Sequence, residues 1–79
     1  MASKGYILIE ATVGKARDVA QALKGMSGVR ESCLITGPYD LVAIVEGPDA
    51  NAVSSIVTNR IHSVPGVART ITCLAINIP

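Results

Sequence analysis

The chain has 79 residues, a formal net charge of +1 and 49% hydrophobic residues, with two Tyr and neither Phe nor Trp. That length allows one domain with a thin aliphatic core, near the lower limit for folding without a metal, a disulfide or a partner subunit. The basic residues are scattered from Lys4 to Arg69 with no run or stripe that would follow a phosphate backbone, which argues against nucleic-acid binding by this chain alone.

The opening "MASKGYILIEATVG" is broken by Glu10 and Gly14, too short and polar for a signal peptide or a membrane span, so the sequence reads as cytoplasmic. From Lys4 to Thr12 β-formers predict a first strand, ended by Gly14. Between Lys15 and Lys24, apolar residues at Ala16, Val19, Ala20 and Leu23 follow the period of an amphipathic helix, which Gly25 and Gly28 stop. A second strand is expected from about Val29 to Thr36. The turn "TGPYD" then leads to a third, Leu41 to Glu46.

Pro48-Asp49 marks the start of a second helix, with Asp49 as N-cap. Its stripe of Val53, Ile56, Val57, Ile61 and Val64 continues until Pro65-Gly66. A last strand, "VARTITCLAINI", closes the chain. The two halves also match at an offset of 38 residues: Val19, Leu23, Met26, Gly28-Val29 and Ser32 correspond to Val57, Ile61, Val64, Gly66-Val67 and Thr70. The expected fold is therefore α+β and ferredoxin-like, β-α-β-β-α-β, with a four-stranded antiparallel sheet and both helices on one face.

Two helices cover only one face of such a sheet, yet "YILI", "LVAIV" and "CLAI" are almost continuously apolar. Whichever parity faces the helices, the other keeps residues such as Tyr6, Leu8, Leu74, Ile76 and Ile78, a patch of the kind that marks an interface. Burying about 600 Å² of it per subunit is worth on the order of 15 kcal/mol before association costs. A homodimer through the sheet face is expected, with higher assembly above it. Cys33 and Cys73 lie in apolar runs without metal-site spacing and read as small buried hydrophobes.

In the turn, Gly37 and Pro38 suffice to reverse the chain, so Tyr39 and Asp40 need a further reason. Either the Asp40 carboxylate accepts hydrogen bonds from turn N–H groups, or backbone donors around Gly37 and the carboxylate together face a zwitterion such as a free amino acid. The Gly-Val that opens the second strand, Thr36-Gly37-x-Tyr39-Asp40, Pro48-Asp49, Pro65-Gly66-Val67 and Thr70-x-Thr72, in this order and spacing, make the whole chain resemble the effector-binding (regulation of amino-acid metabolism, RAM) domain of the Lrp/AsnC transcription regulators.

The resemblance implies a module that dimerises through its sheets, assembles further and binds an amino-acid effector at subunit interfaces. Gly37, Tyr39 and Asp40 would then form the site, and Thr70 and Thr72 would join it from a neighbouring subunit. Full-length members carry an N-terminal helix-turn-helix; here the first strand begins almost at Met1, so the expectation is one effector and oligomerisation domain over residues 1–79, acting on transcription through full-length relatives.

Two rivals share the element order: an assembly module with no ligand, and an ACT-like sensor with its ligand near Thr12-Val13-Gly14. An enzyme is hard to staff, because His62 is the sole histidine and Ser54-Ser55 has no base nearby in sequence. No glycine pattern cradles phosphate, and neither a metal nor another cofactor is expected.

Overall fold

A computed structural model describes residues 2–76. Its elements are β1 (Ser3–Ala11), α1 (Ala16–Leu23), β2 (Val29–Leu34), β3 (Leu41–Gly47), α2 (Ala50–Ile56), a π-helical segment (Val57–Ile61) and β4 (Val67–Leu74). The strands form one sheet in the order β2-β3-β1-β4, each neighbouring pair antiparallel. The expected ferredoxin-like β-α-β-β-α-β fold is present. No helix among the described residues is long and apolar enough to cross a membrane.

Alternation decides which side of each strand is covered. In β1, Gly5, Ile7 and Ile9 are buried, and opposite them in β3 stand Val45, Ala43 and Leu41. Val19 and Leu23 of α1, with Val53, Val57 and Ile61 from the second helical stretch, close over that row, and all are fully or nearly fully buried. This single cluster is the core.

The second helix changes character halfway. Asp49 caps it as expected, its Oδ1 accepting from the Ala52 N–H at 2.8 Å. Its buried residues Val53, Val57 and Ile61 recur every fourth position. In an α-helix each such step overshoots a full turn by about 40°, so the stripe would rotate off the sheet. The wider π turn over Val57–Ile61, with His62 N–H donating to Val57 C=O at 2.9 Å, keeps Ile61 inward.

The 38-residue repeat is physical. Val29 N–H donates to Met26 C=O at 3.1 Å, and Val67 N–H to Val64 C=O at 3.2 Å, so one turn delivers each helix to its edge strand. At its centre Gly28 and Gly66 both have positive φ, +90° and +101°.

The other sheet face is open, and cross-strand partners share it. Tyr6 stands opposite Ile44 and Cys73, and Leu8 opposite Val42 and Ile71, with Cys33 beyond Val42. Two expectations are corrected here. Leu74 pairs with Gly5 and therefore lies on the helix side, where it remains 46% exposed because β4 is an edge strand. Cys33 and Cys73 are exposed on the open face rather than buried in the core. Strand ends also differ: β2 stops at Leu34 rather than Thr36, and β4 at Leu74, after which Ala75 N–H still donates to Lys4 C=O. Ile78 lies outside the described residues.

Gly28→Ala tests the repeated turn. A Cβ there would stand 2.6 Å from Ile56 Cδ1 on a left-handed backbone. A loss of about 1–3 kcal/mol is expected, measured as a lower urea midpoint with the slope unchanged.

Candidate functional site

The loop between β2 and β3 reaches across the end of the sheet, and Asp40 is what fastens it there. Asp40 C=O accepts from Ile35 N–H at 2.9 Å, and Asp40 N–H donates to Ile9 C=O at 2.9 Å. The β1–β3 ladder ends at Ile9 and Leu41. Beyond that point the N–H of Ala11 would face the loop without a ladder partner, and Asp40 Oδ2 accepts it at 2.8 Å. One residue thus joins β1, β2 and the loop. The carboxylate satisfies a part-buried donor that would otherwise cost about 1–3 kcal/mol, in β1 rather than within the turn itself. Its other oxygen, Oδ1, has no hydrogen-bond partner among the described residues.

Gly37 has φ +138°, a conformation that favours glycine, and its α-carbon faces open space. Tyr39 is half-buried, and its ring centroid lies 5.9 Å from Arg69 Cζ. Arg69 Nε is 3.1 Å from Glu10 Oε1, its cross-strand neighbour on the open face. Both partners are well exposed, at 63% and 40%, so the pair contributes little to stability. It does set a cation and an anion side by side next to the tyrosine.

Gly37, Tyr39 and Asp40 therefore come together at one end of the sheet, but Thr70 and Thr72 do not join them within one chain. Thr70 pairs with Ile9 and Thr72 with Ile7, which places both threonines on the helix side. Thr70 Oγ1 lies 2.7 Å from His62 Nε2. Arg69 and Glu10 escaped the sequence reading. Only the β1–β4 register brings them together, and a single strand's sequence does not encode its partner's register.

A groove of about 410 Å³ lies elsewhere, between α1 and β2, lined by Arg17, Ala20, Gln21, Lys24, Ser32, Cys33 and Leu34. It is the better-formed concavity, yet it holds none of the hairpin residues. Gly37 and Pro38 of the hairpin are exposed to solvent on the single chain.

Comparison with known proteins agrees with this architecture. A sequence model described as the Lrp/AsnC ligand binding domain matches residues 4–79. An uncharacterised HTH-type transcriptional regulator of Pyrococcus horikoshii is 30% identical over 59 residues, which cover 75% of this chain and 39% of that protein. A crystal structure of a Thermus thermophilus protein superposes with a TM-score of 0.89 at 34% identity, covering 98% of this chain and 96% of its own. A Neisseria meningitidis transcriptional regulator in complex with L-Met has the same fold, with a TM-score of 0.83 at 21% identity over 95% of this chain and 50% of its own. The chain thus spans well under half of the Pyrococcus regulator and about half of the Neisseria one. With the family's ligand-binding domain matched along nearly its whole length and the same fold in solved relatives, the chain belongs to the Lrp/AsnC ligand-binding domain family.

Proposed function

We propose that this domain binds a small amino-acid effector at the Gly37-Pro38-Tyr39-Asp40 hairpin and does so as an oligomer built on a homodimer through the open sheet face. The observation that carries the reading is the hairpin itself: exposed backbone at Gly37, a free Asp40 Oδ1 and the adjacent Arg69 offer complementary charges to a zwitterion. An α-carboxylate would take Arg69 and backbone N–H donors, and an α-ammonium would take Asp40. Thr70 and Thr72 would enter from a neighbouring subunit. The L-Met complex of the Neisseria regulator makes L-Met the first effector to try.

The dimer follows from the open face. Tyr6, Leu8, Val42, Ile44 and Ile71 form an apolar belt that no described element of the chain covers. In this reading the module is not an enzyme. It modulates transcription by assembling with full-length regulators of its family, to which the HTH-type Pyrococcus relative points.

The rival with an observation in its favour is a ligand-free assembly module, because Asp40 Oδ2 is already occupied by the Ala11 N–H. Asp40→Asn separates the two readings: an amide oxygen still accepts from Ala11 while the charge is removed. In a thermal-shift screen of the twenty amino acids, the wild type is expected to gain about 2.7 kcal/mol at a hundredfold excess of effector over Kd. Asp40→Asn should keep its unliganded melting temperature and lose that gain. Asp40→Ala should lose both, with about 1–2 kcal/mol of stability lost in urea. No shift with any amino acid, for a folded oligomer, supports the assembly module instead. For the dimer, Leu8→Glu places a charge at the centre of the apolar belt and should give monomer mass by light scattering while the helical circular dichroism is retained.

A further inference from the structure

The corner of the sheet beside the hairpin carries two carboxylates and one guanidinium. Glu10 and Arg69 are cross-strand neighbours on the open face, with Arg69 Nε 3.1 Å from Glu10 Oε1. The same guanidinium lies 5.9 Å from the centroid of the Tyr39 ring. Asp40 is tied to this corner through the next residue of β1, its Oδ2 accepting from Ala11 N–H at 2.8 Å. Among the described residues Asp40 has no cation within ion-pair distance, and Glu10 has only Arg69.

The other charged groups near this end are turned elsewhere. Lys15 lies within 4.0 Å of Asp18, one turn further along the chain, and Arg17 lines the groove between α1 and β2. Both cations belong to the helix side of the sheet, whereas Glu10 and Arg69 are on the open face. At the far end of β1, Lys4 stands opposite Glu46, which Arg30 holds at 2.8 Å. The hairpin corner therefore carries one negative charge in excess. Thr70 and Thr72, the residues proposed to enter from a neighbouring subunit, are uncharged and do not offset it.

On the reading that the hairpin holds an amino-acid effector, we infer that Glu10 makes the site selective for amino acids with a cationic side chain: lysine, ornithine or arginine. A guanidinium donates from all of its nitrogens. Glu10 engages Nε, which leaves the outer nitrogens of Arg69 for the effector's α-carboxylate, while the α-ammonium goes to Asp40 Oδ1. A neutral amino acid is a zwitterion and leaves the excess charge in place, with Glu10 now sharing Arg69 with a second carboxylate. Once a neighbouring subunit closes over the corner that excess becomes costly, because an uncompensated charge out of water is poorly tolerated. A side-chain cation that meets Glu10 brings the corner to neutrality. An acidic amino acid does the reverse, so the same carboxylate both attracts one class and repels another.

Calorimetric titrations of the wild-type protein with L-lysine, L-ornithine, L-arginine, L-methionine and L-glutamate test this. The pH is held at 8 to keep imidazole neutral, since His62 Nε2 lies 2.7 Å from Thr70 Oγ1. At least one of the three basic amino acids should bind about tenfold or more tightly than L-methionine, with L-glutamate weakest. Glu10→Gln keeps the shape and removes the charge, and should bring that ratio to within about twofold. Its unliganded melting temperature should stay at the wild-type value, because the Glu10–Arg69 pair is exposed and adds little to stability. Glu10→Lys should turn the preference toward L-glutamate. L-methionine binding as tightly as every basic amino acid, or a basic preference that survives Glu10→Gln, overturns selection by Glu10 and leaves the amino-acid site standing. Binding by none of the five, with no shift in the screen of twenty, overturns both.

Discussion

A four-stranded sheet has two faces, and a chain of this length makes only enough helix to cover one. The core follows from that arithmetic: Ile7, Ile9, Leu41, Ala43 and Val45 below, Val19, Leu23, Val53, Val57 and Ile61 above, all aliphatic and all on one side. Ordinarily the uncovered face of an antiparallel sheet is polar. Here the even positions of β1 and β3 are Tyr6, Leu8, Val42 and Ile44, so the uncovered face is apolar as well. In the proposed dimer, folding and association become one problem, and a ligand held between subunits would draw on the same energy.

At one end of the sheet, the loop before β3 is held by Asp40 to two strands at once, leaving a braced, solvent-facing hairpin with Tyr39, Arg69 and Glu10 beside it. Rigid support beneath exposed polar groups is the usual condition for recognition, because little order has to be imposed when a ligand arrives.

Element order was legible because its determinants are local. Gly14, Gly25, Gly28 and Pro65-Gly66 punctuate the chain, the stripe from Ala16 to Leu23 has helical period, and Asp49 caps the helix that follows it. The hairpin residues Gly37, Tyr39 and Asp40 stood out as more chemistry than a turn needs, and they remain the proposed site. What escaped depends on register. Leu74 fell on the helix side because Gly5 stands opposite it, Cys33 and Cys73 on the open face because Val42 and Tyr6 do, and Arg69 met Glu10 by the same pairing. Asp40, read from sequence as either capping its own turn or facing a ligand, accepts from Ala11, 29 residues away in the chain. A run of apolar residues of both parities carries no mark of which parity turns inward, and no strand names its partner.

The sheet order has a temporal side. β1, synthesised first, sits between β3 and β4, and β4 is the last strand of the sheet to be made. During translation the ribosome can release β1, α1, β2 and β3 while one edge of β1, with its Ile7-Leu8-Ile9 run, still lacks a neighbour. Such an edge invites pairing with other nascent chains. The sheet closes only when Val67–Leu74 has left the exit tunnel, and the domain acquires its native form after its last strand is made rather than while the earlier ones emerge.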